Sequence, residues 1–69
     1  MKPPRFTLGD KVIADNKKTE YMIIIDTAEW HVGYGQWLFN KGAETEVFET
    51  QITHYYSLKK ERWVKNPII

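Results

Sequence analysis

The sequence predicts an all-β domain, and three observations support that class. Two apolar runs, residues 21–25 and 36–39, have the length and the β-branched or aromatic composition of strands. Polar and glycine-containing segments of the kind that form turns separate them from their neighbours. The chain has 69 residues and no cysteine. We therefore expect a single domain, residues 1–69, stabilised by large aromatic side chains rather than by disulfides.

Four strands are predicted in succession: Lys11–Ala14, 19–26, 36–40 and 46–50. Gly9 and Asp10 predict a turn before the first strand, and the polar residues 15–18 predict a turn after it. The second strand is apolar on both faces, which is typical of a central strand or of a long, bent one. Two prolines make residues 1–5 a frayed lead-in, and residues 66–69 are expected to form a tail.

The segment after residue 50 fits two different forms. Ile52, Tyr55 and Tyr56 have the i, i+3, i+4 spacing of a helix. We predict one short 3-10 or α-helical turn here, followed by a last strand near Trp63 and Val64. A longer C-terminal helix through Lys65 is the alternative. The core is predicted to consist of apolar side chains on the inward faces of the strands: Val12, Ile23, Ile25, Trp37, Phe39 and Phe48.

The charges are distributed unevenly, although the net charge is only +1. Residues 1–19 carry five cations and two carboxylates, and residues 50–69 carry four cations and one carboxylate. Residues 20–49 carry six carboxylates and one cation. This pattern predicts basic ends and an acidic middle, either as solvated charge or as two faces that meet different partners.

No apolar run approaches the roughly 20 residues of a membrane-spanning helix. The basic start lacks the apolar stretch of a signal peptide. We expect a cytoplasmic protein with no membrane association.

The order of elements resembles the SH3-like small β-barrels, which include the Tudor, KOW and bacterial SH3 domains. The resemblance is carried by residues 9–14 (GDKVIA), 21–25 (YMIII), 36–39 (QWLF) and 46–49 (EVFE). It covers roughly residues 6–58. It implies a barrel of about five strands with one short 3-10 or helical turn, and binding rather than catalysis.

Catalytic and metal-binding patterns are weak in this sequence. Glu29 and His31 would share one face of a strand, but two histidines without cysteine make a poor tetrahedral metal site. Ser57, the only serine, follows His54 by three residues without the other parts of a catalytic triad. We therefore predict a protein that is not an enzyme and has no metal or cofactor.

Protein binding is the first functional prediction. The ten aromatic residues exceed what so small a core needs, and tyrosine and tryptophan are favoured at interfaces. In an SH3-like barrel the segments 29–35 and 53–56 would be neighbours. We predict that their aromatic side chains form one groove for a protein partner, which could be a second copy of the chain: Trp30, Tyr34, Tyr55 and Tyr56.

Two alternatives remain open. The segment 59–65 interleaves four cations with a tryptophan, which favours single-stranded nucleic acid; the residues proposed for it are Lys59, Lys60, Arg62 and Trp63. Lys11, Lys17 and Lys18 would extend this basic face if the terminal strands were adjacent. The small size and polarised charge would also suit an accessory protein of a phage or mobile element that inhibits a host enzyme.

Overall fold

A computed structural model describes residues 2–17 and 19–67 of the chain. In these residues the backbone forms seven strands: β1 (Lys11–Ala14), β2 (Met22–Ile23), β3 (Glu29–His31), β4 (Gln36–Phe39), β5 (Val47–Phe48), β6 (Ile52–Ser57) and β7 (Arg62–Lys65). One 3-10 helix, Glu49–Gln51, connects β5 to β6. The predicted all-β class is confirmed. Lys18 and the end of the predicted tail, Ile68 and Ile69, lie outside the described residues.

The strands form two antiparallel sheets and not a closed barrel. The four-stranded sheet has the order β2-β1-β6-β7, and the three-stranded sheet has the order β3-β4-β5. The described residues form seven strands, two more than the predicted number of about five. Strand β3 lies between the second and third predicted strands, where none of the successive strands was predicted, and β6 comes from the segment that was predicted to turn.

Asn40 pairs with the edge of the second predicted strand that faces away from β1, while Gly9 and Asp10 continue the pairing on the β1 side at Ile24. The buried side chain of Asn40 accepts a hydrogen bond from the backbone N–H of Ile25 at 2.8 Å and donates one to the carbonyl of Ile23 at 3.0 Å. The amide thus satisfies backbone groups that a neighbouring strand would otherwise satisfy. Because Asn40 directly follows β4, it joins the three-stranded sheet to β2 of the other sheet.

The core lies between the two sheets. Its buried cluster contains Phe6, Val12, Ala14, Ile24, Phe39, Val47 and Ile52. The predictions for Val12 and Phe39 are confirmed, since both are fully buried. Trp37 packs against the cluster but is only partly buried.

Three of the core predictions are wrong about the face of the strand. Ile23 and Ile25 are 43% and 59% exposed, whereas Ile24 between them is 1% exposed. The register causes this, because Met22 pairs with the buried Val12 and turns every second residue of this segment inward. Phe48 pairs with Leu38 on the opposite side of its sheet from the buried Val47.

The region after the 3-10 helix is extended. Strand β6 pairs with β1 through Val12–Tyr55 and Ile13–His54, and with β7 through Tyr56–Trp63. The predicted short 3-10 turn is present but lies at Glu49–Gln51 rather than over residues 52–56, which form β6. The longer C-terminal helix is wrong. The last strand, predicted near Trp63 and Val64, is confirmed.

Candidate binding surfaces

The outer face of the four-stranded sheet follows from the pairing register. Val12 is buried and pairs with Met22 and Tyr55, so these three side chains point toward the core. Alternation along each strand turns their neighbours outward. The outward positions on or beside the four strands are Lys11, Ile13, Tyr21, Ile23, His54, Tyr56, Trp63 and Lys65. Two of these side chains are lysines and none is acidic.

Three aromatic rings meet on this outer face. Trp63 lies edge-to-face against Tyr56, with ring centroids 5.5 Å apart, and its ring is 6.0 Å from that of Tyr21. Strands β1 and β6 separate Tyr21 from Trp63 in the sheet, so both side chains lean over these strands. This cover accounts for the burial of Ile13, which is 4% exposed although it lies outside the core cluster.

Lys11 brings a positive charge into this aromatic group. Its Nζ lies 5.4 Å from the ring centre of Tyr21 and 5.9 Å from that of Tyr56, which is the range of cation–π interactions. We call Lys11, Tyr21, Tyr56 and Trp63 the cationic aromatic face. Tyr21 and Trp63 are 55% and 37% exposed, so their rings are accessible to a planar ligand.

The residues predicted for nucleic acid do not all lie on this face. Trp63 does, whereas Arg62 precedes it in β7 and pairs with Ser57, so alternation places the Arg62 side chain on the other side of the sheet. Lys59 and Lys60 are exposed in the turn between β6 and β7, and Arg62 begins β7. Lys11 was expected to join them through adjacent terminal strands. Instead β6 lies between β1 and β7, and Lys11 reaches the group through Tyr56, which had been predicted for the protein-binding groove. Sequence reasoning did not identify Tyr21.

A second surface is built on the other two tryptophans. Trp30 and Trp37 are paired directly across β3 and β4, and their rings make an edge-to-face contact at 5.3 Å. They line an open cleft of about 730 Å³ together with residues 2–5 and the side of the 3-10 helix at Glu49 and Thr50. We call this the tryptophan cleft.

Residues 2–5 lie along the tryptophan cleft and are called the N-terminal strap. The indole Nε1–H of Trp37 donates a hydrogen bond to the carbonyl oxygen of Lys2 at 2.9 Å. The backbone N–H of Arg5 donates to a carboxylate oxygen of Glu49 at 3.2 Å. Directly after the strap, Phe6 enters the core, where its ring contacts Phe39. Residues 2–5 of the predicted lead-in are therefore hydrogen-bonded to the cleft at both of their ends.

A third aromatic group covers the outer face of the three-stranded sheet. His31, Tyr34 and Phe48 are in mutual ring contact, with centroid distances between 4.9 and 5.3 Å. His31 Nδ1 accepts a hydrogen bond from the backbone N–H of Tyr34 at 3.1 Å. Leu38, paired with Phe48, is buried on this side of the sheet. The group therefore acts as a small secondary core.

The four residues predicted to form one protein-binding groove have different neighbours. Trp30 lines the tryptophan cleft, and Tyr34 belongs to the group around His31. Tyr55 points inward and contacts Phe6, whereas the next residue, Tyr56, points outward. None of the ring contacts in the described part of the chain joins two of these four residues.

Residues 2–17 and 19–67 contain no group of three or more His, Cys, Asp or Glu side chains placed to hold a metal ion. Over the same residues, no helix has the length and apolar character needed to cross a membrane. Comparisons with family models, curated proteins and solved structures found no match to this chain. Function is therefore inferred from the surfaces themselves.

Proposed function

We propose that this protein binds single-stranded nucleic acid on its cationic aromatic face. The observation that carries the proposal is the gathering of Tyr21, Tyr56 and Trp63 on one sheet face, with the ammonium group of Lys11 among them. Proteins that bind single strands without strong sequence preference combine such stacking rings with cations that track the phosphates.

The geometry supports binding in which bases stack and phosphates contact cations. Tyr21 and Trp63 present exposed ring surface at two places on the sheet, and stacking on such a ring contributes roughly 1–3 kcal/mol per base. A base on either ring leaves its phosphate within reach of a lysine. Lys11 provides a cation at the centre of the face, and the exposed Lys59, Lys60 and Lys65 provide cations near β7.

The sheet arrangement also supports a relation to the SH3-like barrels, which we propose at the level of fold. Strand β1 pairs with both β2 and β6, and a single 3-10 turn leads into β6. Both features agree with the element order on which the resemblance was based. The two sheets remain separate where Asn40, rather than a strand, pairs with the backbone after β2.

Fluorescence anisotropy with labelled DNA and RNA single strands tests the proposed function. Oligonucleotides of about fifteen nucleotides suit the roughly 4–16 that one small barrel covers. We expect micromolar binding that weakens steeply with added salt, because phosphate contacts release counterions. The key variant is Trp63→Leu, which keeps an apolar side chain over Ile13 but removes the stacking ring.

Trp30→Leu is the matched control. Trp30 and Trp63 are almost equally exposed, at 39% and 37%, but Trp30 lies on the other sheet. We expect Trp63→Leu to weaken binding by about 5- to 150-fold and Trp30→Leu to leave it unchanged. Equal losses in both variants, or no binding by the unmodified protein at low salt, would reject the proposed function.

A further inference from the structure

The N-terminal strap lines the tryptophan cleft together with Trp30 and Trp37. Its sequence is Lys-Pro-Pro-Arg, residues 2–5. Its backbone is hydrogen-bonded to Trp37 through Lys2 and to Glu49 through Arg5. The strap is thus a proline-containing segment docked on the residues that form the cleft, and it indicates the chemistry that these residues accept.

Proline-containing segments are recognised by a combination that this cleft provides. Each proline fixes its own φ and lacks a backbone N–H, so such a segment is extended and offers carbonyl acceptors. Aromatic grooves bind these segments through ring packing together with hydrogen bonds to their carbonyls. Trp37 supplies both, because its indole Nε1–H donates to the carbonyl of Lys2, immediately before Pro3.

Charge adds selectivity at the other end of the cleft. Glu49, half-buried at the start of the 3-10 helix, accepts a hydrogen bond from the backbone N–H of Arg5. A carboxylate beside the residue that follows the two prolines favours a basic side chain at that position of the ligand. The strap has arginine there and lysine before the prolines.

We propose that the tryptophan cleft recognises an extended segment of a protein partner in which two prolines are flanked by basic residues, and that residues 2–5 act as its intramolecular competitor. Because the strap is covalently attached, its effective concentration at the cleft is high. A partner segment binds with an apparent affinity reduced by the fraction of molecules whose cleft is open.

The strap of a second copy is a poorer occupant. Phe6 is 4% exposed in the core of its own domain, so it tethers residues 2–5 beside their own cleft. Four residues span at most about 14 Å when fully extended. Reciprocal exchange would therefore require two copies to meet closely, cleft against cleft, whereas a flexible partner segment meets no such constraint.

NMR of the tryptophan indole N–H resonances tests the proposal. The probe is the capped peptide Lys-Pro-Pro-Arg, and Lys-Ala-Ala-Arg is its charge-matched control. The proteins are the unmodified chain and a double variant, Pro3→Gly with Pro4→Gly, which loosens the strap but keeps its charges and the Phe6 anchor. We expect the proline peptide to shift the Trp37 resonance in both, at a roughly tenfold lower concentration in the variant.

Three controls make the test decisive. Trp37→Phe in the loosened variant keeps an aromatic ring but removes the donor, so the peptide should no longer bind. Trp63→Leu should leave peptide binding unchanged, which separates this site from the cationic aromatic face. An unshifted Trp37 resonance, an equal response to the alanine peptide, or dimerisation through the cleft without peptide binding would overturn the proposal.

Discussion

Trp30 and Trp63 expose nearly the same fraction of their surface, 39% and 37%, but the two regions around them differ in kind. Trp63 stands on an open sheet face with two tyrosines and a lysine. Trp30 belongs to a cleft that the chain's own strap already lines, with Glu49 at its edge. The difference shows that exposure alone does not identify a binding residue. The neighbouring charges and the chain segments that line the same surface determine which chemistry each tryptophan can serve.

The largest expected effect comes from Phe6, the core residue that contacts the sheets beneath both regions. Phe6 contacts Phe39 of the three-stranded sheet at 5.8 Å and Tyr55 of the four-stranded sheet at 5.5 Å. We expect Phe6→Ala to lower the free energy of unfolding by about 3–5 kcal/mol, because it leaves a cavity between the sheets. Urea denaturation measures this. The matched control is Leu8→Ala, since Leu8 is 64% exposed, and a change there above about 0.5 kcal/mol would contradict this account.

Removing the Asn40 side chain, which connects the two sheets, should have the next largest effect on stability. Asn40→Gly preserves the backbone freedom needed at φ +55° but leaves the N–H of Ile25 and the carbonyl of Ile23 unpaired. We expect a loss of about 3 kcal/mol in the free energy of unfolding, and about 1 kcal/mol more for Asn40→Ala, which adds strain. Chemical denaturation compares both with Asn16→Gly, an exposed position at φ +59°. Equal stability of Asn16→Gly and Asn40→Gly would show that the amide bonds contribute little.

The two binding regions can be distinguished by measuring the binding of both ligands to both leucine variants. Trp63→Leu should lose about 1–3 kcal/mol of nucleic-acid affinity, which is the contribution of one stacked base. Trp30→Leu should instead weaken binding of the Lys-Pro-Pro-Arg peptide in the loosened strap background. Anisotropy and NMR titrations of both variants against both ligands provide the measurement. If one variant lost both activities, the two surfaces would form a single site.

The smallest expected effect concerns the charge of Lys11 on the cationic aromatic face. Lys11→Gln should reduce the slope of log affinity against log salt for nucleic acid by about one. Lys41→Gln is the matched control, because Lys41 is exposed and its 3.4 Å ion pair with Glu29 is solvated, so the pair adds little to stability. Salt titrations by anisotropy measure both slopes. A lower slope in the Lys41 variant alone would locate the phosphate contacts on the other sheet.

Local sequence signals predicted the elements whose pattern admits one interpretation. Strand β1, most of β4 and the last strand near Trp63 were found in this way, as were the buried Val12 and Phe39. The run from residue 21 to 25 is apolar on both faces, so its own pattern cannot say which side is buried. Pairing with Val12 decides this, and that pairing is a long-range contact.

The binding surfaces, like the fold, could be predicted only where they depend on residues close in sequence. The cations near Trp63 are close in sequence, so composition identified that end of the face. Tyr21 joins them only because the strand order is β2-β1-β6-β7, with ring contacts that reach across two strands. Tyr55 and Tyr56 fitted a helical spacing and a strand equally well, and their separation onto opposite faces depends on β6 pairing with β1. The strap was missed because two prolines near a terminus usually indicate a loose segment.

The edge strands of the two sheets are short or charged, and this affects the tendency of the protein to aggregate. Strands β2 and β5 offer only two residues each at the sheet edges, and β3 offers three, beginning with Glu29. The remaining edge, β7, begins with Arg62 and ends with Lys65. Short or charged edges are poor templates for adding a foreign strand. The sheets of this protein therefore offer few edge residues to which the strand of another molecule could pair. The protein can resist fibril formation even though it exposes many aromatic rings.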